Sequence, residues 1–173
     1  MMISKKMEAA LNEQIELEGY ASFLYLAMAV WCDNKGLNGC HQFLMRQSAE
    51  ERVHMMKIFE YLADVDGYAL TPGINEPPRQ FESVQEIFKT VYAHEQKVTK
   101  SINGLIGLAS KENDYATETF LQWYVNEQRE EEALMRNVLD RINLIGDGPQ
   151  SLYFIDKEME AINKQTTAAE ATE

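Results

Sequence analysis

The chain has 173 residues, 45% of them hydrophobic, and a formal net charge of -12. That is enough apolar material for one domain with a substantial core, and it excludes a disordered chain. The acidic balance, without any basic cluster or an apolar run near the ~20 residues of a membrane span, argues against nucleic acid and membrane as partners.

The opening Met1-Met2-Ile3-Ser4-Lys5-Lys6 lacks the long apolar core of a signal peptide, so a cytoplasmic location is expected. Proline is absent before Pro72, and glycine and proline then mark the breaks. A first helix is expected over 5–33, ended by Asn34-Lys35-Gly36, and a second over 38–65. Cys32 and Cys40 flank the turn between them; two cysteines are too few for a disulfide scaffold and read as reduced structural thiols. Residues 66–82, with Thr71-Pro72-Gly73 and Pro77-Pro78, are too irregular for a helix. A third helix is expected over 83–110, opened by a capping box of Ser83 and Glu86. A fourth follows over 114–143 with Asp114 as N-cap, stopped by Gly146-Asp147-Gly148-Pro149. A short fifth helix, about 150–162, carries Leu152, Phe154, Ile155, Met159 and Ile162. The domain is expected to span 1–163, and the polar tail 164–173 to be disordered.

The short first and last connections predict antiparallel hairpins. The long one can reach about 55 Å when extended, more than the roughly 40 Å of each helix. It can therefore run the length of the bundle and leave the second and third helices parallel. The expected fold is all-α: a four-helix bundle with one long crossover.

The apolar stripes are interrupted in a regular way. The third helix gives Val84, Phe88, Val91, Glu95, Val98, Ile102, Leu105 and Ala109. The fourth gives Thr117, Leu121, Tyr124, Gln128, Glu131, Met135, Val138 and Ile142. The second gives Leu44, Ser48, Glu51, Met55, Ile58, Leu62 and Val65; on the first, Leu11, Ile15, Glu18, Ser22 and Tyr25 share a face. Each stripe carries a glutamate near its middle, so the fold brings Glu18, Glu51, Glu95 and Glu131 to one level.

Burying an ionised carboxylate costs several kcal/mol, and four together repel one another. No lysine or arginine lies on these stripes at that level, whereas two divalent cations would balance the charge. His54 lies three residues after Glu51 on the same face, a Glu-x-x-His metal signature. An oxygen-rich set with one imidazole suits iron or manganese and argues against a closed structural zinc site.

On these residues, and on Leu11-Asn12-Glu13-Gln14, Tyr25 with Trp31-Cys32, the stretch from Phe120 to Val125 and the stretch from Leu152 to Glu158, the chain resembles the bacterial non-haem ferritins over nearly its whole length. The resemblance implies a ferritin-like bundle with a ferroxidase centre. It assigns Glu18, Glu51 and His54 to a first iron site, and Glu51 as a bridge with Glu95 and Glu131 to a second. Gln128 and Tyr25 match the glutamine and tyrosine beside that centre. Glu50, Glu127 and Glu130, with Glu131 as the link, match a third, weaker iron site. No haem is expected, since Arg52 stands where haem-binding relatives have a methionine, and Gln128-Arg129-Glu130-Glu131 lacks the second Glu-x-x-His.

The implied activity is oxidation of Fe(II) by O2 or hydrogen peroxide and storage as ferric oxide inside a homo-oligomeric shell of twenty-four subunits. Two other readings stay open on the residues alone. One is a peroxidase or oxygenase bundle with a fixed di-metal cofactor. The other is a helical interaction module with solvent-facing carboxylates.

Overall fold

The computed structural model describes residues 3–170, with the side chains of 3–166, and contains five helices. They are α1 (Lys5–Asn34), α2 (Asn38–Asp64), α3 (Val84–Glu112), α4 (Tyr115–Ile145) and α5 (Ser151–Glu170). Among the described residues no helix is long and apolar enough to cross a membrane.

The helix ends follow from local chemistry. Ser83 Oγ accepts from the Glu86 amide at 3.0 Å, and Glu86 reaches back to the Glu82 amide at 2.8 Å, one residue earlier than in an ideal capping box. Asp114 caps α4 by accepting from the Thr117 amide at 3.1 Å. α3 ends at Asn113 in the left-handed region (φ 57°), with the Asp114 amide bonded to the Ala109 carbonyl at 2.9 Å, a Schellman-type closure. Gly36 (φ 74°) turns the chain between α1 and α2. Leu37 offers α2 no side-chain cap; Asp156 of α5 supplies it by accepting from the Cys40 amide at 2.9 Å.

Two apolar clusters fill the bundle. One takes Leu24, Tyr25 and Met28 from the second half of α1, Phe43 and Leu44 from the start of α2, Phe88 and Val91 from the start of α3, and Met135 and Val138 from the end of α4. The other takes Leu11 and Ile15 from the start of α1, Ile58 and Leu62 from the end of α2, Ile102 and Leu105 from the end of α3, and Leu121 and Tyr124 from the start of α4. The starts of α2 and α3 therefore share one end of the bundle, so these helices run parallel and each hairpin antiparallel, as expected. Residues 66–82 form the crossover, tied to α1 through Asn12, which bonds the Tyr68 carbonyl at 2.9 Å and the Leu70 amide at 2.7 Å.

The fifth helix is longer than its expected span of about 150–162. Instead of stopping near 162 it continues to Glu170, where a disordered tail was expected from 164; residues 171–173 lie outside the described residues. Glu160 pairs with Lys157 at 2.9 Å and Lys164 at 2.7 Å, carrying the helix past its last core residue, Ile162. α5 buries Ile155 and Met159 but leaves Leu152, Tyr153 and Phe154 exposed. It lies so close to α2 that a Cβ on Gly39 would sit 1.9 Å from the Asp156 carbonyl oxygen. Cys32 and Cys40 are buried and unbridged. The neighbouring Cys32 thiol and burial hold the Cys40 thiol well above its ordinary value, so it stays protonated and unreactive.

Candidate metal centre

The layer between the two apolar clusters is polar and dry. Glu18, Glu51 and Glu95 have 0% of their surface exposed, and Glu131 has 6%. Every member of the α3 and α4 stripes is buried, and in α2 only Met55 is half-buried. Ser22 and Ser48 pin α1 to α2 beside this layer, each hydroxyl donating to the other's carbonyl at 2.7 Å.

Glu18, Glu51 and His54 each bring a ligand atom within 4.8 Å of the others, the one such group among the described residues. Glu18 Oε2, both Glu51 oxygens and His54 Nδ1 are buried without a hydrogen-bond partner. Buried polar atoms are normally paired, so four orphans facing one another mark a place built for something else. His54 is held by position: Tyr124 donates to its backbone carbonyl at 2.6 Å, and Trp123 packs edge-on with ring centroids 5.4 Å apart. Such an acceptor-rich set, with one imidazole and no interior lysine or arginine on the stripes, fits hard or borderline divalent cations.

Glu95 and Glu131 share the layer but point into protein hydrogen bonds. Tyr25 donates to Glu95 Oε1, and Gln128 Nε2 donates to Oε2 at 3.1 Å and to the Glu95 carbonyl at 3.2 Å. Gln47 Nε2 donates to Glu131 Oε2 at 3.0 Å. The other predicted ligands lie further out. Glu50 is half-buried and bonds Arg46 Nη1 at 2.5 Å and Gln47 Nε2 at 2.8 Å. Glu127 Oε1 lies 3.8 Å from His54 Nε2. Glu130 is exposed and pairs with Arg129 at 3.0 Å.

Two glutamines escaped the sequence reading as site residues. Gln14 Nε2 donates to Glu18 Oε1 at 2.7 Å, and Ser101 Oγ donates to Gln14 Oε1 at 2.5 Å, linking the site to α3. Gln14 and Gln47 are both buried, and each lies four residues before a site glutamate, the spacing that could have disclosed them.

The electrostatics follow from burial. Desolvation, then the Glu51 charge, holds the Glu18 carboxyl well above its ordinary value. Glu51 is raised by burial and then by Glu95. Glu131 is raised by burial and then by Glu50 and Glu95. Glu95 is raised by burial, against the opposing hydrogen bonds from Tyr25 and Gln128. Without a cation, burial therefore favours the neutral carboxyls; a divalent ion would favour the carboxylates.

The chain is similar to known proteins over most of its length. The ferritin-like domain family matches residues 8–145. A bacterial non-heme ferritin of Escherichia coli is 40% identical over 164 residues, covering 95% of this chain and 99% of its own. One from Campylobacter jejuni is 42% identical over 161 residues, covering 93% and 96%. Among solved structures, an open-pore ferritin from the archaeon Archaeoglobus fulgidus superposes with a TM-score of 0.88 at 42% identity, covering 91% of this chain and 98% of that one. With its bundle, its crossover and its buried Glu-Glu-His group, the chain belongs to the ferritin family.

Proposed function

We propose that this chain is an iron-storage ferritin that binds Fe(II) as its substrate in the buried layer, oxidises it with O2 or hydrogen peroxide, and stores the product as ferric oxide. The observation that carries the reading is the dry convergence of Glu18, Glu51 and His54 with their orphaned ligand atoms. Glu18, Glu51 and His54 hold one iron; Glu51, bridging, with Glu95 and Glu131 holds the second. Glu50, Glu127 and Glu130 with Glu131 form a third site on the way out.

The residues divide the work. The carboxylates hold the metals close together and favour the higher charge of Fe(III). Each Fe(II) gives up one electron, and the pair of electrons with two protons from solvent reduces one hydrogen peroxide to two waters or one O2 to hydrogen peroxide. Tyr25 and Gln128 hold the Glu95 carboxylate in the layer until metal draws it into coordination. With a single histidine, the second site holds its ion more loosely than the first, which suits passing iron onward.

Assembly into a homo-oligomeric shell, twenty-four subunits by analogy with the family, goes with this reading, as does a cytoplasmic site of action. Its support is the apolar surface left uncovered on one chain: Phe23 and Val30 on α1, and Leu152, Tyr153 and Phe154 on α5, are each about half exposed.

Aerobic addition of Fe(II) tests the function. Storage predicts ferric-oxo absorbance and uptake of many irons per chain, abolished by Glu51→Ala. Uptake that stops at about two irons per chain would indicate a fixed di-iron cofactor instead.

A further inference from the structure

We propose that Gln47 is a positioning residue that joins the di-iron pair to the third iron site, its single side-chain nitrogen holding Glu131 of one and Glu50 of the other so that the two fill as a coupled unit. The inference rests on the proposed function. It begins from a count of donors. Gln47 is fully buried on α2, and its Nε2 carries two hydrogens. One goes to Glu131 Oε2 on α4 at 3.0 Å, the other to Glu50 Oε2 on α2 at 2.8 Å.

The chemistry of the donor matters as much as its place. A lysine or arginine here would neutralise the carboxylates and compete with iron for them. A neutral amide restrains both carboxylates and adds no charge of its own, so Arg46, paired with Glu50, is the cation of this cluster. The second oxygen of Glu50 accepts from Arg46 Nη1 at 2.5 Å, and Arg46 Nε donates to Asn163 Oδ1 of α5 at 2.7 Å. A continuous chain of hydrogen bonds therefore runs from α5 through Arg46, Glu50 and Gln47 to Glu131. Metal that turns Glu131 toward itself moves an acceptor of the same nitrogen that orients Glu50. Gln128 plays no part in this chain; it holds Glu95.

Anaerobic calorimetric titration of the assembled protein with Fe(II) tests the coupling. In Gln47→Met, which keeps the length and loses both donors, the first binding event should match the wild type. The later events should weaken about tenfold or more, the usual effect of losing a partner of a metal ligand. Titration with Co(II), whose visible spectrum reports ligand geometry, should show the first ion unchanged and the later ones altered. Gln47→Asn, which stays polar but is too short to reach both carboxylates, should weaken the same events and serves if the methionine variant does not fold. Later events superimposable on the wild type in a folded variant would overturn the coupling alone. A wild-type protein that takes up no Fe(II), or takes it up equally after Glu51→Ala, would overturn the coupling together with the function it rests on.

Discussion

The Tyr25 hydroxyl on α1 donates to one oxygen of Glu95 on α3, and Gln128 on α4 donates to the other, so three helices meet on a single carboxylate. In Tyr25→Phe a buried carboxyl loses a partner. The expected cost is about 1–3 kcal/mol of stability in the metal-free protein. Fe(II) affinity at the Glu95 side of the centre should fall about tenfold, with binding at Glu18 and His54 retained. Thermal melts and anaerobic Fe(II) calorimetry on the same variant read the two effects separately.

Metal-free stability should fall as pH rises. Burial first, and neighbouring carboxylates next, lift Glu18, Glu51 and Glu131 above the 4.5 that an unfolded glutamate keeps. Above that pH the native state binds more protons than the unfolded chain, so stability is full below it and is lost as pH climbs through the raised values. Glu51→Gln removes one of these groups. It should flatten the loss as pH rises above 4.5 and raise the neutral melting temperature by roughly 4–8 °C, about 2 kcal/mol. An unchanged slope in differential scanning calorimetry would show that Glu51 ionises freely in the folded protein.

His94 acts in the opposite sense at lower pH. Burial, and then the Lys97 charge, lowers it from 6.5 to about 4. The unfolded chain takes up that proton first, so stability present above pH 6.5 is lost as pH falls toward about 4. The loss is on the order of 3 kcal/mol. His94→Gln should show a correspondingly shallower acid limb in denaturant titrations at stepped pH, and an identical limb would contradict the assignment.

Gly39→Ala should loosen α5 without unfolding the bundle. Its new Cβ would meet the Asp156 carbonyl oxygen at 1.9 Å and the Glu160 nitrogen at 3.0 Å, both backbone atoms that side-chain adjustment cannot move. Overpacking of this kind costs about 3 kcal/mol. Hydrogen exchange should quicken through α5 and at the Cys40 amide that Asp156 caps, and stay slow in α3.

The bundle was legible because α3 and α4 place every member of a 3.6-residue stripe inside, including the polar Glu95, Gln128 and Glu131. α1 was harder, since it exposes Phe23, Leu26 and Val30 as well as burying Leu24 and Met28, and its apolar residues run nearly all round. The length of α5 was not legible because no large apolar residue follows Ile162; ion pairs at Glu160 accompany its continuation instead. In the run Glu130-Glu131-Glu132 only Glu131 can face inward, and the neighbours go to Arg129 and to Thr99. Gln14 and Gln47 were missed because a glutamine beside an apolar stripe reads as a boundary residue until its partner on another helix is known.

The central claim is that the buried carboxylate layer is a seat for a pair of irons. A crystal soaked anaerobically in Fe(II) and measured by anomalous scattering at the iron edge tests it most directly. Two ions enclosed by Glu18, Glu51, His54, Glu95 and Glu131 are predicted. Iron found only on surface carboxylates, with those five side chains still bonded as they are without metal, would contradict it.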